Sequence, residues 1–284
     1  MLPHVSIIVP TINEAGNLPG LVERIAAAMA ACDYEILVID DESQDGTAEV
    51  CRELTRTHPL TLYVRPEPTG GLSGAVLYGF ARARGDILVV MDADLQHPPE
   101  VLPALIAPVS AREADIVIGS RRAPGSSIAG PWGLWRRLNS TISRWLAAPL
   151  VGPVRDPLAG FFAIRRATWL QARCLNPLGY KIALELMCKC PARQIVEIPI
   201  EFGMRMHGES KLRLAQQVGY IRHLGRLYLS RCSAAQPGLR SQPKRGIPGR
   251  RGSSSATAIT RRGMMSALQR QNIERAGAEL KAIE

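Results

Sequence analysis

The first 120 residues alternate short apolar runs with segments of helical period, and this alternation constrains the fold more than any other feature of the chain. Val5 to Val9 is an apolar run closed by Pro10, and Leu18, Leu21, Val22, Ile25 and Met29 follow at helical spacing. Glu35 to Ile39 repeats the strand pattern, Asp40 to Gly46 makes a polar loop, and Val50 and Leu54 share one face of a second helix. Leu60 to Val64, a glycine-rich loop and a helix carrying Val76 and Phe80 form a third unit. Ile87 to Met91 ends at Asp92, Pro98 and Pro99 suit the first turn of the next helix, and Ile116 to Ile118 reads as a fifth strand. Strands alternating with helices of about a dozen residues predict an α/β fold, a mostly parallel central sheet covered by helices on both faces. Ligands of such sheets bind outside the carboxyl ends of the strands, where the polar loops of this chain fall.

Beyond about residue 128 the pattern becomes irregular. Trp132, Trp135 and Trp145 sit among arginines, two strand-like runs follow (Phe161 to Ile164 and Ile195 to Phe202), and Tyr180 to Cys190 has helical spacing. Residues 212–231 form an amphipathic helix with Leu214, Val218, Ile221, Leu224, Leu227 and Tyr228 on one face and arginines around it. Such a helix suits a membrane interface or packing on the body. Residues 232–284 are poor in large apolar groups and are expected to be disordered. The expected organisation is a catalytic-type body over 1–211, the helix over 212–231 and a basic tail over 232–284.

Charge follows the same division. Residues 231–284 hold eleven Lys/Arg against Glu274, Glu279 and Glu284, while residues 1–230 hold 24 Lys/Arg against 22 Asp/Glu. The body is nearly neutral, so no nucleic-acid partner is expected of it, and an arginine-rich arm is a reading confined to the tail. No run reaches the ~18 apolar residues of a spanning helix, and the N-terminus lacks a secretory pattern, so an intracellular, peripheral protein is expected. Six cysteines without C-x-x-C pairs suggest neither a zinc site nor a disulfide framework.

The chemistry is most concentrated in Asp92-Ala-Asp94-Leu-Gln96-His-Pro-Pro-Glu100, directly after an apolar strand. Alternation with period two aims Asp92, Asp94 and Gln96 to one side, where two carboxylates and a carbonyl suit Mg²⁺ or Mn²⁺. A bare D-x-D is equally a solvated strand-end turn. The longer string is more specific. Gly70-Gly-Leu-Ser-Gly74 lacks the lysine of an ATP-binding loop, and close backbone packing accounts for its glycines equally well.

Eight segments in order, VSIIVPTINE, VIDDESQDGT, GLSGAVLYGFARARGD, MDADLQHPPE, IVIGSRR, DPLAGFFAIRR, GYKIALE and RMHGESKL, resemble the inverting GT-A glycosyltransferases that use nucleotide sugars, and within them the polyprenyl-phosphate mannosyltransferases. The resemblance implies a GT-A fold and transfer of mannose from GDP-mannose to a polyprenyl (dolichyl-type) phosphate at the cytoplasmic face of a membrane, with Mg²⁺ or Mn²⁺ as cofactor. It places Pro10, Glu14 and Asp41 at the guanosine, Asp92, Asp94 and Gln96 at the nucleotide and metal, and Arg205 and Lys211 on donor phosphates. It places Arg121, Arg136 and Ser140 on the acceptor phosphate, and Asp94 and Arg121 at the reaction centre. The chain departs from the family at Ile12, where an aromatic residue is usual. UDP-glucose as donor, or a non-catalytic sugar-nucleotide-binding scaffold, are the rival functions.

Overall fold

The computed structural model describes residues 4–129, 134–176, 181–203 and 214–234. Four βα units come first: β1 (Val5–Thr11) and α1 (Leu18–Ala28), β2 (Tyr34–Asp40) and α2 (Thr47–Leu54), β3 (Leu60–Val64) and α3 (Gly71–Arg82), then β4 (Ile87–Val90), a 3₁₀ turn (Pro99–Val101) and α4 (Leu102–Ser110). They continue into β5 (Ile116–Ser120), β6 (Ser127–Ile128), α5 (Leu134–Val151), β7 (Phe162–Arg165) and α6 (Arg166–Trp169). The remaining elements are α7 (Ile182–Lys189), β8 (Ile195–Pro199), β9 (Glu201–Phe202) and α8 (Leu214–Ala234).

Seven strands form one sheet in the order β3-β2-β1-β4-β7-β5-β8. The chain moves outward from β1 to β3 and returns through α3 to β4 on the other side of β1, so strand order reverses between β1 and β4. A crevice opens at such a reversal, at the carboxyl ends of the strands. All pairings in this sheet are parallel except those of β7, which runs antiparallel to β4 and β5. The mostly parallel sheet expected from sequence is present, with one inverted strand that short apolar runs do not reveal.

Both faces of the sheet are buried, as strand alternation dictates. Ile7, Val9, Ile36, Val38 and Val89 pack with Leu18, Leu21, Ile25, Leu102 and Leu105 of α1 and α4. Ile8, Leu37, Ile39, Leu88 and Phe162 pack on the other face with Val76 and Phe80 of α3 and Leu186 of α7. Far from the reversal point, buried Glu35 gathers the Ser6 hydroxyl at 2.6 Å and the backbone N–H and guanidinium of Arg84 at 2.7 and 2.9 Å. Burial alone would raise its carboxyl, but these donors bring it below the usual carboxylate range. That network sits at the amino ends of the strands and is structural.

Three expectations need correction. The segment after 128 holds an 18-residue helix, α5, which its arginines and Pro149 obscure in the sequence. The run Ile195 to Phe202 is two strands, and the second pairs with β6 in a separate parallel ribbon. In α8 the buried stripe is Tyr220, Leu224 and Leu227, packed with Ala147, Leu150 and Leu184. Ile221, expected on that stripe, is 63% exposed. Residues 1–228 make one compact unit and 229–284 a second, of which only the last turn of α8 lies within the described residues. Disorder over 232–284 concerns residues that, from 235 on, lie outside the described ones.

Candidate active site

The loops after β1 and β2 are tied to each other. Asn13, with φ of 57°, donates its N–H to Ser43 Oγ at 2.7 Å and accepts from the Gln44 N–H at 2.9 Å, and Asp45 takes the Ala15 N–H at 3.0 Å. Pro10 lies within β1, paired with Ile39, and Ile12 is 45% exposed beside it. Glu14 accepts from the Asn17 side-chain amide at 2.7 Å at the entry to α1. Asp41 is held by a residue absent from the sequence reading: Arg65 reaches its two carboxylate oxygens at 2.6 and 2.7 Å. Arg65 is 4% exposed and also donates to the carbonyls of Thr69 and Gly71, at 2.9 and 3.2 Å. One guanidinium therefore joins the candidate nucleoside acid to the turn that begins α3.

Gly74 makes this possible. A Cβ there would lie 2.1 Å from the Thr69 carbonyl oxygen and 2.9 Å from Arg65 Nη1. The glycine-rich loop thus serves close packing, one of the two accounts its sequence allowed. Gly74→Ala is expected to displace the turn and lower stability by about 2 kcal/mol, as overpacking does. Thermal unfolding measures this; a Tm within a degree of the parent would refute the packing account.

The acidic loop does not extend β4. The strand ends at Val90, and the chain turns at Leu95, whose φ is 61°. Asp94 is 4% exposed and its Oδ1 takes the Gln96 N–H at 3.2 Å, while the Gln96 side-chain amide donates to the Gly203 carbonyl at 3.1 Å. Gly203 returns its N–H to the Gln96 carbonyl at 2.9 Å. Asp92 and Asp94 therefore stand on a turn beyond the end of β4, not on an alternating strand. His97 Nδ1 accepts the Asp92 N–H at 3.1 Å, its ring stacked on Phe161 at 5.2 Å. Burial pushes its pKa down, so it is the neutral ring that orients this backbone. Gly160 leaves room for the carboxylate: a Cβ there would sit 3.3 Å from Asp92 Oδ2.

Opposite this loop, Arg121 leaves the end of β5 and meets Asp156 in a two-pronged pair, Nε and Nη2 each 2.8 Å from a carboxylate oxygen. The Arg121 guanidinium also lies 5.3 Å from the centre of the Phe202 ring. Asp156 is 2% exposed; burial raises its carboxyl, but the Arg121 guanidinium holds it below the usual range. Lys181 is half-buried at the start of α7, with Nζ 3.1 Å from the Leu158 carbonyl. Withdrawal from water, then the Arg121 charge, pushes its pKa down to about 8, with Asp156 and Asp92 pulling the other way.

Of the residues expected from sequence, the structure brings Asp92 and Arg121 near one another, since His97 accepts the Asp92 N–H and Phe202 lies against both the His97 ring, at 5.6 Å, and the Arg121 guanidinium, at 5.3 Å; Asp94 stands two residues from Asp92 on the same turn. Pro10, Glu14 and Asp41 lie at the ends of the neighbouring β1 and β2. Arg136 and Ser140 fall on α5, four residues apart; Arg205 and Lys211 lie outside the described residues. Arg65, His97, Asp156 and Lys181 were not singled out. Three of them stand inside the quoted motifs, but nothing local shows that Asp156 meets Arg121 35 positions earlier.

An open, mostly parallel sheet with acidic side chains at the reversal of strand order is an architecture shared by nucleotide-binding α/β proteins. Residues 6–171 match the model of Glycosyl transferase family 2, and the chain belongs to that family. It is 43% identical over 227 residues to a dolichol-phosphate mannosyltransferase of Pyrococcus furiosus, covering 78% of this chain and 63% of that one. The chain thus spans less than two thirds of that relative. Dolichol-phosphate mannosyltransferases of Mycosarcoma maydis and Saccharomyces cerevisiae are each 39% identical, over 80% and 81% of this chain and 79% and 88% of theirs. Among solved structures, glucosyl-3-phosphoglycerate synthase of Mycobacterium tuberculosis, in complex with Mn²⁺, UDP-glucose and phosphoglyceric acid, superposes with a TM-score of 0.59 at 22% identity, covering 83% of this chain and 82% of that one. Mannosyl-3-phosphoglycerate synthase of Rubrobacter xylanophilus gives 0.59 at 22%, with 87% and 79% covered. These structures share the GT-A fold with this chain.

Proposed function

We propose that the protein transfers mannose from GDP-mannose to a polyprenyl phosphate of the dolichyl type, with inversion. The observation that carries this reading is the pairing of two faces of one crevice, Asp92 and Asp94 on one loop and Arg121 with Lys181 across from them. It is supported by relatives named for this activity over most of the chain.

An acceptor phosphate oxygen attacks the anomeric carbon, the bond from that carbon to the diphosphate oxygen breaks, and GDP departs. A phosphate monoester has a second pKa near 6, so it attacks without a side-chain base. The protein's task is to hold two polyanions in line. Arg121, Arg136 and Ser140 address the acceptor phosphate; Arg205 and Lys211 address the donor; Pro10, Glu14 and Asp41 bound the nucleoside, with Arg65 holding the Asp41 carboxylate in place.

Among the described residues there is no cluster of three or more His, Cys, Asp or Glu able to enclose an ion. Two carboxylates, one of them 35% exposed, instead fit Mg²⁺ or Mn²⁺ that takes its remaining oxygens from the donor and water. When bound, such an ion neutralises charge on the departing diphosphate. Gln96 uses its amide to fasten the loop to Gly203, so we assign it to positioning as much as to ligation.

No helix of the described residues is long and apolar enough to cross a membrane. Ile142, Trp145 and Leu146 of α5 are 48%, 71% and 45% exposed, and Ile221 of α8 is exposed near Arg222 and Arg226. Exposed tryptophan with flanking arginines suits a peripheral position on a membrane surface, on the cytoplasmic face where nucleotide sugars occur.

Incubation with radiolabelled GDP-mannose or UDP-glucose, Mn²⁺ and farnesyl phosphate tests the assignment. Mannose should enter the lipid fraction, glucose should not, and EDTA should stop transfer until Mn²⁺ or Mg²⁺ is restored. Efficient glucose transfer would replace the donor; GDP binding without transfer to any acceptor would favour a scaffold.

A further inference from the structure

One short turn, residues 156–160, touches both halves of the crevice. At its start Asp156 takes the Arg121 guanidinium through both oxygens and the Arg121 N–H at 3.2 Å. At its end Gly160 lies against the Asp92 carboxylate. The turn is closed by the Ala159 N–H on the Asp156 carbonyl at 3.3 Å. Glu197 of β8 secures its entry, with the N–H groups of Arg155 and Asp156 each 2.9 Å from a carboxylate oxygen. Its middle is secured by Lys181, through the Leu158 carbonyl.

Resting on the acceptor reading above, we propose that Lys181 is a positioning residue for the acceptor phosphate. By holding Leu158 it sets the 156–160 turn, and through Asp156 it sets the plane of the Arg121 fork. A planar guanidinium recognises phosphate through two parallel hydrogen bonds, so a small rotation of its plane removes one of them. The ammonium is also placed at a cost, because burial and the Arg121 charge both act against its protonation. A group retained only for packing needs no charge there, whereas functional sites tolerate such local conflicts.

The test compares Lys181→Met, which keeps the stem and removes the charge and donors, with Asp156→Asn and the double variant. Affinity for farnesyl phosphate is measured by calorimetry without donor, alongside affinity for GDP with Mn²⁺ and Tm at pH 7. Lys181→Met is expected to weaken farnesyl phosphate about tenfold, leave GDP within about threefold and keep or raise Tm. Because both residues act through the same turn, the double variant should be no weaker than the weaker single one. Lys181→Arg should restore part of the affinity. If Lys181→Met does not fold, Lys181→Arg and Asp156→Asn give the same cycle. Unchanged farnesyl phosphate affinity, equal loss of both ligands, or additivity of the two substitutions overturns the proposal. A wild-type protein that binds farnesyl phosphate without transferring mannose sinks the activity and leaves this inference standing.

Discussion

Asp94→Ala should reduce mannose transfer by about a thousandfold, about 4 kcal/mol of transition-state stabilisation. Two carboxylates serve the divalent ion on this reading, and Asp94 is the buried one, fixed by the Gln96 N–H. Its removal deletes one of the two carboxylates offered to the ion and loosens the turn at Leu95. Charge that develops on the departing diphosphate then goes largely uncompensated. The fold should survive, because the loop lies at the sheet's rim and the strands beneath it keep their packing. Asp92→Ala should be nearly as damaging, with Gly160 and His97 left around a small void. Single-turnover transfer with saturating Mn²⁺ measures the effect, and Tm checks the fold. Retention of more than about a tenth of parental turnover, a loss under ~1.4 kcal/mol, would remove Asp94 from the metal site.

The βα units of the first 120 residues were legible because each strand is a contiguous apolar run and each helix has its own stripe. Within them, the strand-end acids were legible too, since a polar residue directly after a buried strand has few places to point. What followed was not. β7 is four residues long and inserts between strands whose paired residues lie 72–78 and 44–48 positions earlier, so its direction depends on tertiary packing alone. In α5 the arginines and Pro149 blur the period, and helicity rests on contacts with α7 and α8. Alternation predicted that Asp92, Asp94 and Gln96 aim to one side, but a left-handed Leu95 is invisible to such a pattern, and the Gln96 amide turns to the Gly203 carbonyl instead. Arg65 escaped notice for a different reason: an arginine at the end of an edge strand reads as surface charge until Asp41 is found opposite it.

The Arg121–Asp156 pair separates geometry from charge. Arg121→Ala is the wrong probe, because it strands Asp156 as an uncompensated buried carboxylate, which costs roughly 3–5 kcal/mol of stability and confounds any rate. Arg121→Lys keeps a cation near Asp156 but offers a point charge in place of the planar fork. We expect acceptor kcat/KM to fall about a hundredfold, ~2.7 kcal/mol, chiefly through KM, with GDP affinity in Mn²⁺ nearly unchanged. The same pair sets a pH signature. The Asp156 carboxyl is held below its ordinary value of 3.8, so the pair's stabilisation is fully present above that value. It is lost as pH falls through the lower, folded value. A looser lysine partner depresses the carboxyl less, so Arg121→Lys should unfold at a higher pH than the parent on acid titration, with the two proteins converging in stability as pH falls further. If Arg121→Lys instead loses GDP affinity and keeps its acceptor KM, Arg121 belongs to the donor phosphates, and the crevice binds its two substrates in the opposite arrangement.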